Sequence, residues 1–425
     1  MNKNQTRLFI ATGIGNIFEI FDFFIFIFLS NVIADLFFPH TVRWLAVVFT
    51  YTTVTISYML RPVGALILGN LGDKYGRKSI FSLSILMTAI PSLVIGLSPT
   101  YSQIGIWAVV ILVISRILQG FSSGAEMPGA VTFIAENYAN KNYYFYVAWI
   151  PFGANVSIAL GAYLIHQMVT SMSKEALYAY GWRIPFLLGS LLAVIGFYIR
   201  KNIAESNQFK VALVNHKLAK MPIANLFGQY KNELIVGVLL VMPASMLTSV
   251  FHVFLPNLLV KFTWLKFEVA TMISSVGALT VAVSIIIFAV LSAWIKPVNI
   301  VKLSISGIIL LLLIVMCGVF KLENFQNLMA VVVVLSILVG GINGVYWGIL
   351  VDLFPVQVRY SGVAACFSIA SLIGAGLTPL WTSSIMVRTN NYNGIILVCF
   401  VISLISLLNT FYLANCLDNK TDKLR

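Results

Sequence analysis

Two carboxylates stand three residues apart in the otherwise apolar stretch GNIFEIFDFFIF, residues 15–26: Glu19 and Asp22. Residues at i and i+3 share a helical face, so the two acids make one polar spot on an apolar rod. An ionisable group inside a bilayer costs several kcal/mol unless it faces protein or water. Proton loading by one of the two, on the face of the first helix that meets a central cavity, is the chemistry open to such a pair. Burial favours the protonated form of a carboxyl group, so an acid held out of water can take up and release a proton near neutral pH. The other reading is an ion pair with Arg61 or Arg116, which also fall within apolar runs. Arg116 offers either carboxylate recognition through its planar fork or a salt bridge to Asp22 or Glu19. Gln119, one turn on, shares its site. Glu126 lies ten residues beyond Arg116, about 15 Å along a helix axis, and reads as a second proton site or as a helix-packing pair. Arg61 and Arg183 read as structural.

The elements that must position these groups are membrane helices. The chain of 425 residues is 60% hydrophobic and only 10% charged, with a mean hydropathy of +0.95, which excludes a water-soluble surface for a protein of this length. Apolar stretches of bilayer-spanning length recur from end to end, and a β-barrel would show short alternating segments instead. The expectation is an all-α polytopic membrane protein with twelve spans, near 8–36, 44–70, 79–97, 103–135, 144–167, 182–199, 233–260, 269–294, 303–320, 326–351, 361–387 and 393–416. Pro243 and Pro256 are expected to bend the seventh. With the N-terminus inside, 18 basic residues fall in inside segments and 6 in outside ones. The positive-inside rule then places both termini in the cytoplasm. The net charge of +13 therefore reports topology, and no nucleic-acid partner is expected. The start, MNKNQTR, leads into an uncleaved first span.

The most hydrophilic segment, RKNIAESNQFKVALVNHKLAKMPIAN at 200–225, reads as a solvated cytoplasmic linker helix. It divides the chain into six-helix halves at 1–200 and 231–425, joined by 201–230. The halves hint at a repeat. AENYANKNYYFYVAWIPFGANVSIALGAYL and VDLFPVQVRYSGVAACFSIASLIGAGLTPL each show an acid, an aromatic two residues on, a short basic loop and a span rich in small residues. Transporters built from two related halves hold substrate between them near the midplane. Tyr346 and Trp347, beside Gly340, Gly341, Asn343 and Gly344, are the expected substrate wall. Asn155, Ser157, His252 and Asn257 add polar groups on the fifth and seventh spans. No P-loop, His/Cys cluster or catalytic constellation appears. Neither an enzyme activity nor a cofactor or metal is expected, and the four cysteines read as small core residues.

GNLGDKYGRKS at 69–79 resembles the loop signature of the major facilitator superfamily, G-x-L-x-D-R-x-G-R-K, with Lys74 in place of the usual Arg. RILQGFSSGAE at 116–126, GWRIPFLLG at 181–189 and FPVQVRYSG at 354–362 resemble further segments of that superfamily. GNIFEIFDFFIF, RPVGALILGNLGDKYGRK and the Glu205-Ser206-x-x-Phe209 segment look like its metabolite:H+ symporter family, proton-coupled carriers of proline/betaine, α-ketoglutarate, citrate and shikimate. The second-half copy of the Asp/Arg loop is lost in LSAWIKPVNIVK, and Asn207 stands where the family usually has Pro. The short tail argues against activation by a coiled coil.

The resemblance implies two six-helix bundles around a central cavity, working by alternating access in a bacterial inner membrane, as a monomer. It also implies that Asp73, Arg77, Glu136, Asp352 and Arg359 form a cytoplasmic latch. In it Asp73 approaches the start of the eleventh helix and Arg77 has Glu136 as a partner. The partners are then a small-molecule substrate, protons and the lipid bilayer. Few buried cations stand unopposed by acids, so a zwitterion such as an amino acid or betaine fits better than a polyacid. An organic-acid symporter, an exporter of the same fold and a non-transporting sensor are the alternatives.

Overall fold

In lipid, a single spanning segment satisfies its backbone amides within itself only as a helix, and the runs of Phe, Ile, Leu and Val fold accordingly. The computed structural model describes residues 3–38, 43–138, 143–201, 204–215, 222–262, 265–318, 324–389 and 391–424. Its first bundle comprises α1 (Lys3–Phe28), α2 (Ser30–Phe37), α3 (Arg43–Tyr75), α4 (Arg77–Leu97), α5 (Tyr101–Ile104), α6 (Ile106–Asn137), α7 (Tyr143–Ser171), α8 (Lys174–Ala176) and α9 (Arg183–Lys201). The connection carries α10 (Asn207–Val214) and α11 (Pro222–Gln229). The second bundle comprises α12 (Lys231–Thr248), α13 (Leu255–Phe262), α14 (Phe267–Leu291), α15 (Pro297–Met316), α16 (Phe325–Leu353), α17 (Arg359–Ser371), α18 (Thr378–Thr389) and α19 (Asn393–Leu424). No strand occurs among the described residues. Eleven of the described helices are long and apolar enough to cross a membrane, or twelve if one bent pair is counted as a single span.

That pair is the first departure from expectation. The span expected over 8–36 breaks at Leu29, where α1 and α2 meet at 68°, and α2 turns so that Phe37 packs edge-on against Trp182 at 5.3 Å. In the seventh span α12 runs on through Pro243, and the helix changes at a π turn over Ser249–Val253. Pro256 has no N–H to offer the carbonyl one turn back. A second π turn, Leu372–Gly376, joins α17 to α18. The connection is less solvated than expected. Ser206 caps α10 by accepting the Phe209 N–H at 3.2 Å, and Ser206 and Phe209 are buried. Arg200, expected among the inside-loop charges, is also buried.

Backbone-to-backbone approaches knit each bundle. A Cβ on Gly64 would meet the Phe121 carbonyl oxygen at 1.8 Å, one on Gly120 the Ser57 oxygen at 2.3 Å, and one on Gly124 the Arg61 oxygen at 2.1 Å. So α3 and α6 touch main chain to main chain, in the small-xxx-small manner of membrane helices. The second bundle repeats the device: Gly340 and Gly344 on α16 sit against the carbonyl oxygens of Val281 and Ile285 on α14, at 3.0 and 2.7 Å from a built Cβ. Gly124→Val must push α3 and α6 apart. The expected cost is about 1–3 kcal/mol, read as a lower unfolding temperature in detergent. An unchanged unfolding temperature would contradict this packing. The bundles meet where α7 touches α14 and α16, and where α17 touches α3 and α6.

Candidate functional site

A central cavity of about 130 Å³ lies between the bundles. From the first bundle Ile20, Phe24, Tyr58, Arg61 and Asn155 line it; from the second, Ser249, Asn343, Tyr346 and Phe367. Two of the three π turns reach its wall, through Ser249 and Val253 on one side and Ala375 and Gly376 on the other; the third, Leu177–Gly181 before α9, does not. Extra-residue turns of this kind recur at functional sites.

The cavity face of α1 is not the acidic one. Ile20, Phe24 and Ile27 line the cavity, while Glu19 and Asp22 are buried among α6 and its neighbours. Side chains at 20, 24 and 27 share one face of a helix, and 19 and 22 point away from it. The acids instead join a polar layer inside the first bundle. Gln119 is its hub: Nε2 donates to Asp22 Oδ2 at 2.7 Å and to Ser92 Oγ at 2.9 Å, and Oε1 accepts from Arg116 Nη1 at 2.9 Å. With both amide hydrogens and the carbonyl oxygen engaged, only one orientation of the amide fits its partners. Arg116 therefore reaches Asp22 through an amide, without a direct salt bridge. Its guanidinium also lies 3.4 Å from the Phe26 ring centroid. Ser123 donates to Glu19. Asp22 Oδ1, Glu19 Oε2 and Arg116 Nη2 are buried without a hydrogen-bond partner, so the layer has open proton acceptors and an open donor. Neither Arg116 nor Gln119 lines the cavity, contrary to their expected substrate role.

Glu126 pairs with Arg200 at 3.1 Å, with both side chains buried. Arg200 also donates to the Phe81 carbonyl at 3.0 Å and lies over the Phe81 ring, so the pair ties α6 to the end of α9 and to α4. Sequence reasoning missed Arg200. It opens the most hydrophilic segment of the chain, and nothing in its spacing marks it as buried. Asn155 and Tyr346 line the cavity. Trp347 does not: it is buried behind Tyr346, stacked at 4.9 Å on that ring and 4.7 Å from Phe367.

The latch residues converge at the other end of α3. Asp73 accepts from the backbone N–H of Tyr360 at 3.2 Å and of Ser361 at 2.8 Å, and from the Ser361 hydroxyl at 2.6 Å. These N–H groups belong to the first turn of α17, where a helix has no internal acceptors for them and carries partial positive charge. Glycine makes the seat: a Cβ at Gly69 would meet Ser361 Cα at 2.9 Å, and one at Gly72 the Tyr360 ring at 2.2 Å. Arg77 bridges Asp73 at 3.1 Å and Glu136 at 3.2 Å and donates to the Val356 carbonyl at 2.5 Å. Arg359 stands 3.5 Å from Glu136 and bonds Gln208 at 2.7 Å. Asp352 accepts from Tyr143 at 2.5 Å and Tyr144 at 2.7 Å.

The connection joins this cluster. Ser206 donates to Glu136 at 2.5 Å, Glu205 accepts the Lys78 N–H at 3.0 Å, and the Phe209 ring lies under Arg77 at 4.7 Å. Gly76, with φ of 112°, turns the chain there, in the left-handed region that favours glycine. The adjacent tyrosines at 143–144 and the Glu-Ser pair at 205–206 were the available signals for these partners.

The chain matches the family model of the Major Facilitator Superfamily over residues 12–375. It is 28% identical over 397 residues to a putative proline/betaine transporter of Staphylococcus aureus (strain COL), covering 92% of this chain and 84% of that relative. It is 27% identical over 419 residues to the glycine betaine/proline/ectoine/pipecolic acid transporter OusA of Dickeya dadantii (strain 3937), covering 95% and 82%. Its fold is similar to that of the proton:xylose symporter XylE bound to 6-bromo-6-deoxy-D-glucose, with a TM-score of 0.77 at 13% identity over 97% of this chain and 96% of that one.

Proposed function

The chain belongs to the major facilitator superfamily, and on that premise we propose that this multi-pass membrane transporter imports a small zwitterion of the proline or betaine class together with protons. The observation that carries the reading is the separation of two polar regions. Asp22 lies in a buried layer with Gln119 and Arg116, and Glu19 lies near it on Ser123, while the cavity is lined by one arginine and by no acid among the described residues. Protons and solute then occupy different places in one moving body. A di- or tricarboxylate entering that cavity would bring more negative charge than its lining opposes. The names of the bacterial relatives agree with a zwitterion.

Alternating access follows from the latch. Asp73, Arg77, Glu136, Asp352 and Arg359 close one end of the cavity when they engage, and the bundles at 1–200 and 231–425 rock apart when they release. The loop charges support a reading in which that end, with both termini, faces the cytoplasm at a bacterial inner membrane. The single chain is the working unit.

Purified protein in liposomes tests the reading. Labelled proline or glycine betaine accumulates when the outside is acidic, and accumulation collapses when the pH gradient is removed. Uptake of citrate or α-ketoglutarate with neither zwitterion, or accumulation that ignores the gradient, would overturn it.

A further inference from the structure

Arg61, for which the sequence suggests a structural role, has a different setting in the structure. It is 6% exposed and lines the central cavity. Rings hold its guanidinium: Cζ lies 4.1 Å from the centroid of Tyr58 and 4.9 Å from that of Phe23. Among the described residues it forms no ion pair, and its Nε is buried without a hydrogen-bond partner. Glu19 acts on it through space, but Glu19 is hydrogen-bonded to Ser123. A buried cation without a contacting anion costs several kcal/mol. Every other buried arginine of the described spans has a polar partner: Arg77 has Asp73 and Glu136, Arg116 has Gln119, and Arg200 has Glu126. Arg61 alone faces the solute space with its fork unfilled.

We infer that Arg61 anchors the carboxylate of the transported solute, and that the ringed remainder of the cavity holds an alkylated ammonium; this rests on the transport reading above. Phe24, Phe254, Tyr346 and Phe367 line the same cavity, and no acid does. A primary ammonium carries three N–H donors that need acceptors. A quaternary ammonium carries none and is drawn to aromatic faces. The Asn155 and Asn343 amides donate to their own helices, at 2.9 and 3.0 Å. Their oxygens remain to accept from a secondary ammonium. Arg61 is thus the specificity determinant for a carboxylate, and the rings select against a bare amino group.

Uptake of labelled glycine betaine or proline into liposomes, with choline and glycine as competitors, tests this. In the wild type, choline, which lacks the carboxylate, and glycine, whose ammonium is primary, compete at least about tenfold more weakly than the labelled solute. Arg61→Gln raises KM by about 10- to 150-fold, the equivalent of one charged hydrogen-bonded contact, and erases the discrimination against choline. Arg61→Lys keeps the charge without the fork and falls between, with the loss in KM more than in Vmax. A purely structural arginine would change the unfolding temperature and leave the ratio of choline to betaine competition untouched. If Arg61→Gln does not fold, the lysine variant and the wild-type competition series decide. A wild type that carries proline or betaine while the variants keep KM within about twofold, or that takes choline as readily, overturns the anchor and leaves the transport reading standing. A wild type that carries no zwitterion overturns both.

Discussion

The double variant Glu19→Gln, Asp22→Asn loses uphill accumulation of its solute. In the wild type, each coupled proton lets a gradient of one pH unit hold about a tenfold concentration ratio, since a factor of ten is about 1.4 kcal/mol. Without a titrating acid the ratio falls to one. Both replacements are close in shape. Ser123 can still donate to the side-chain oxygen at position 19, and the Gln119 amide can still donate to the oxygen at position 22, so the layer keeps its geometry and loses its protonation. What it also loses is the counter-charge for Arg116, which then has only the neutral Gln119 and the Phe26 ring. Some loss of stability is expected beside the loss of coupling. Solute exchange under equal pH on both sides separates the two effects. It survives if only coupling is gone and disappears if the protein is damaged. Accumulation that still follows the gradient in a folded double variant would remove both acids from the proton path. The single variants then apportion the role, because Asp22 is tied to Arg116 through Gln119 and Glu19 is not.

Asp73→Asn opens the latch. The carboxylate collects two backbone N–H groups and a hydroxyl from the first turn of α17, and Arg77 besides. An amide has one acceptor oxygen and no charge. Losing a charged hydrogen bond costs about 1.5–3 kcal/mol, which shifts a two-state equilibrium by about 10- to 150-fold. Ser368 lies under the latch, fully buried, with its hydroxyl on the Gly124 carbonyl at 3.2 Å. A Ser368→Cys reporter, in a background free of the native cysteines, should react with an impermeant maleimide about tenfold faster or more when Asp73 is replaced by Asn. The label is applied from the latch side of the membrane. Equal labelling rates with and without Asp73 would reduce the cluster to fixed charges that set topology.

The fold was legible because lipid leaves helices few alternatives, and because the Gly-Asp-Gly-Arg order at 69–79 demands a turn that another helix can approach. The latch set came from the resemblance of that segment to the superfamily's loop signature, and the structure brings Asp73, Arg77, Glu136 and Arg359 together. The cavity was not legible. An apolar run such as α1 is buried on several sides at once, so its hydrophobic pattern does not say which face meets solute. Glu19 and Asp22 were expected there and turn inward. Arg61 was expected to be structural and turns to the cavity. Arg200 shows a second limit. It is adjacent to Lys201 at the end of an apolar run, and burial at such a place depends on how α9 packs on α4 and α1 and so brings Arg200 to Glu126 on α6. The bend at Leu29 has no proline or glycine beside it to announce it; packing of Phe37 on Trp182 accompanies it.

The reach of the latch along the chain also sets an order of events in synthesis. Asp73 bonds to Tyr360 and Ser361 across 287 and 288 residues of chain. At about 5–20 residues per second, its partners leave the ribosome roughly 14–57 s after it does. For that interval a buried aspartate has to be kept content by near neighbours. Arg77 arrives four residues later, Glu136 soon after, and Ser206 reaches Glu136 from 70 residues downstream. The nascent first half thus carries a provisional set of partners of its own, and the second half completes the cluster when it emerges.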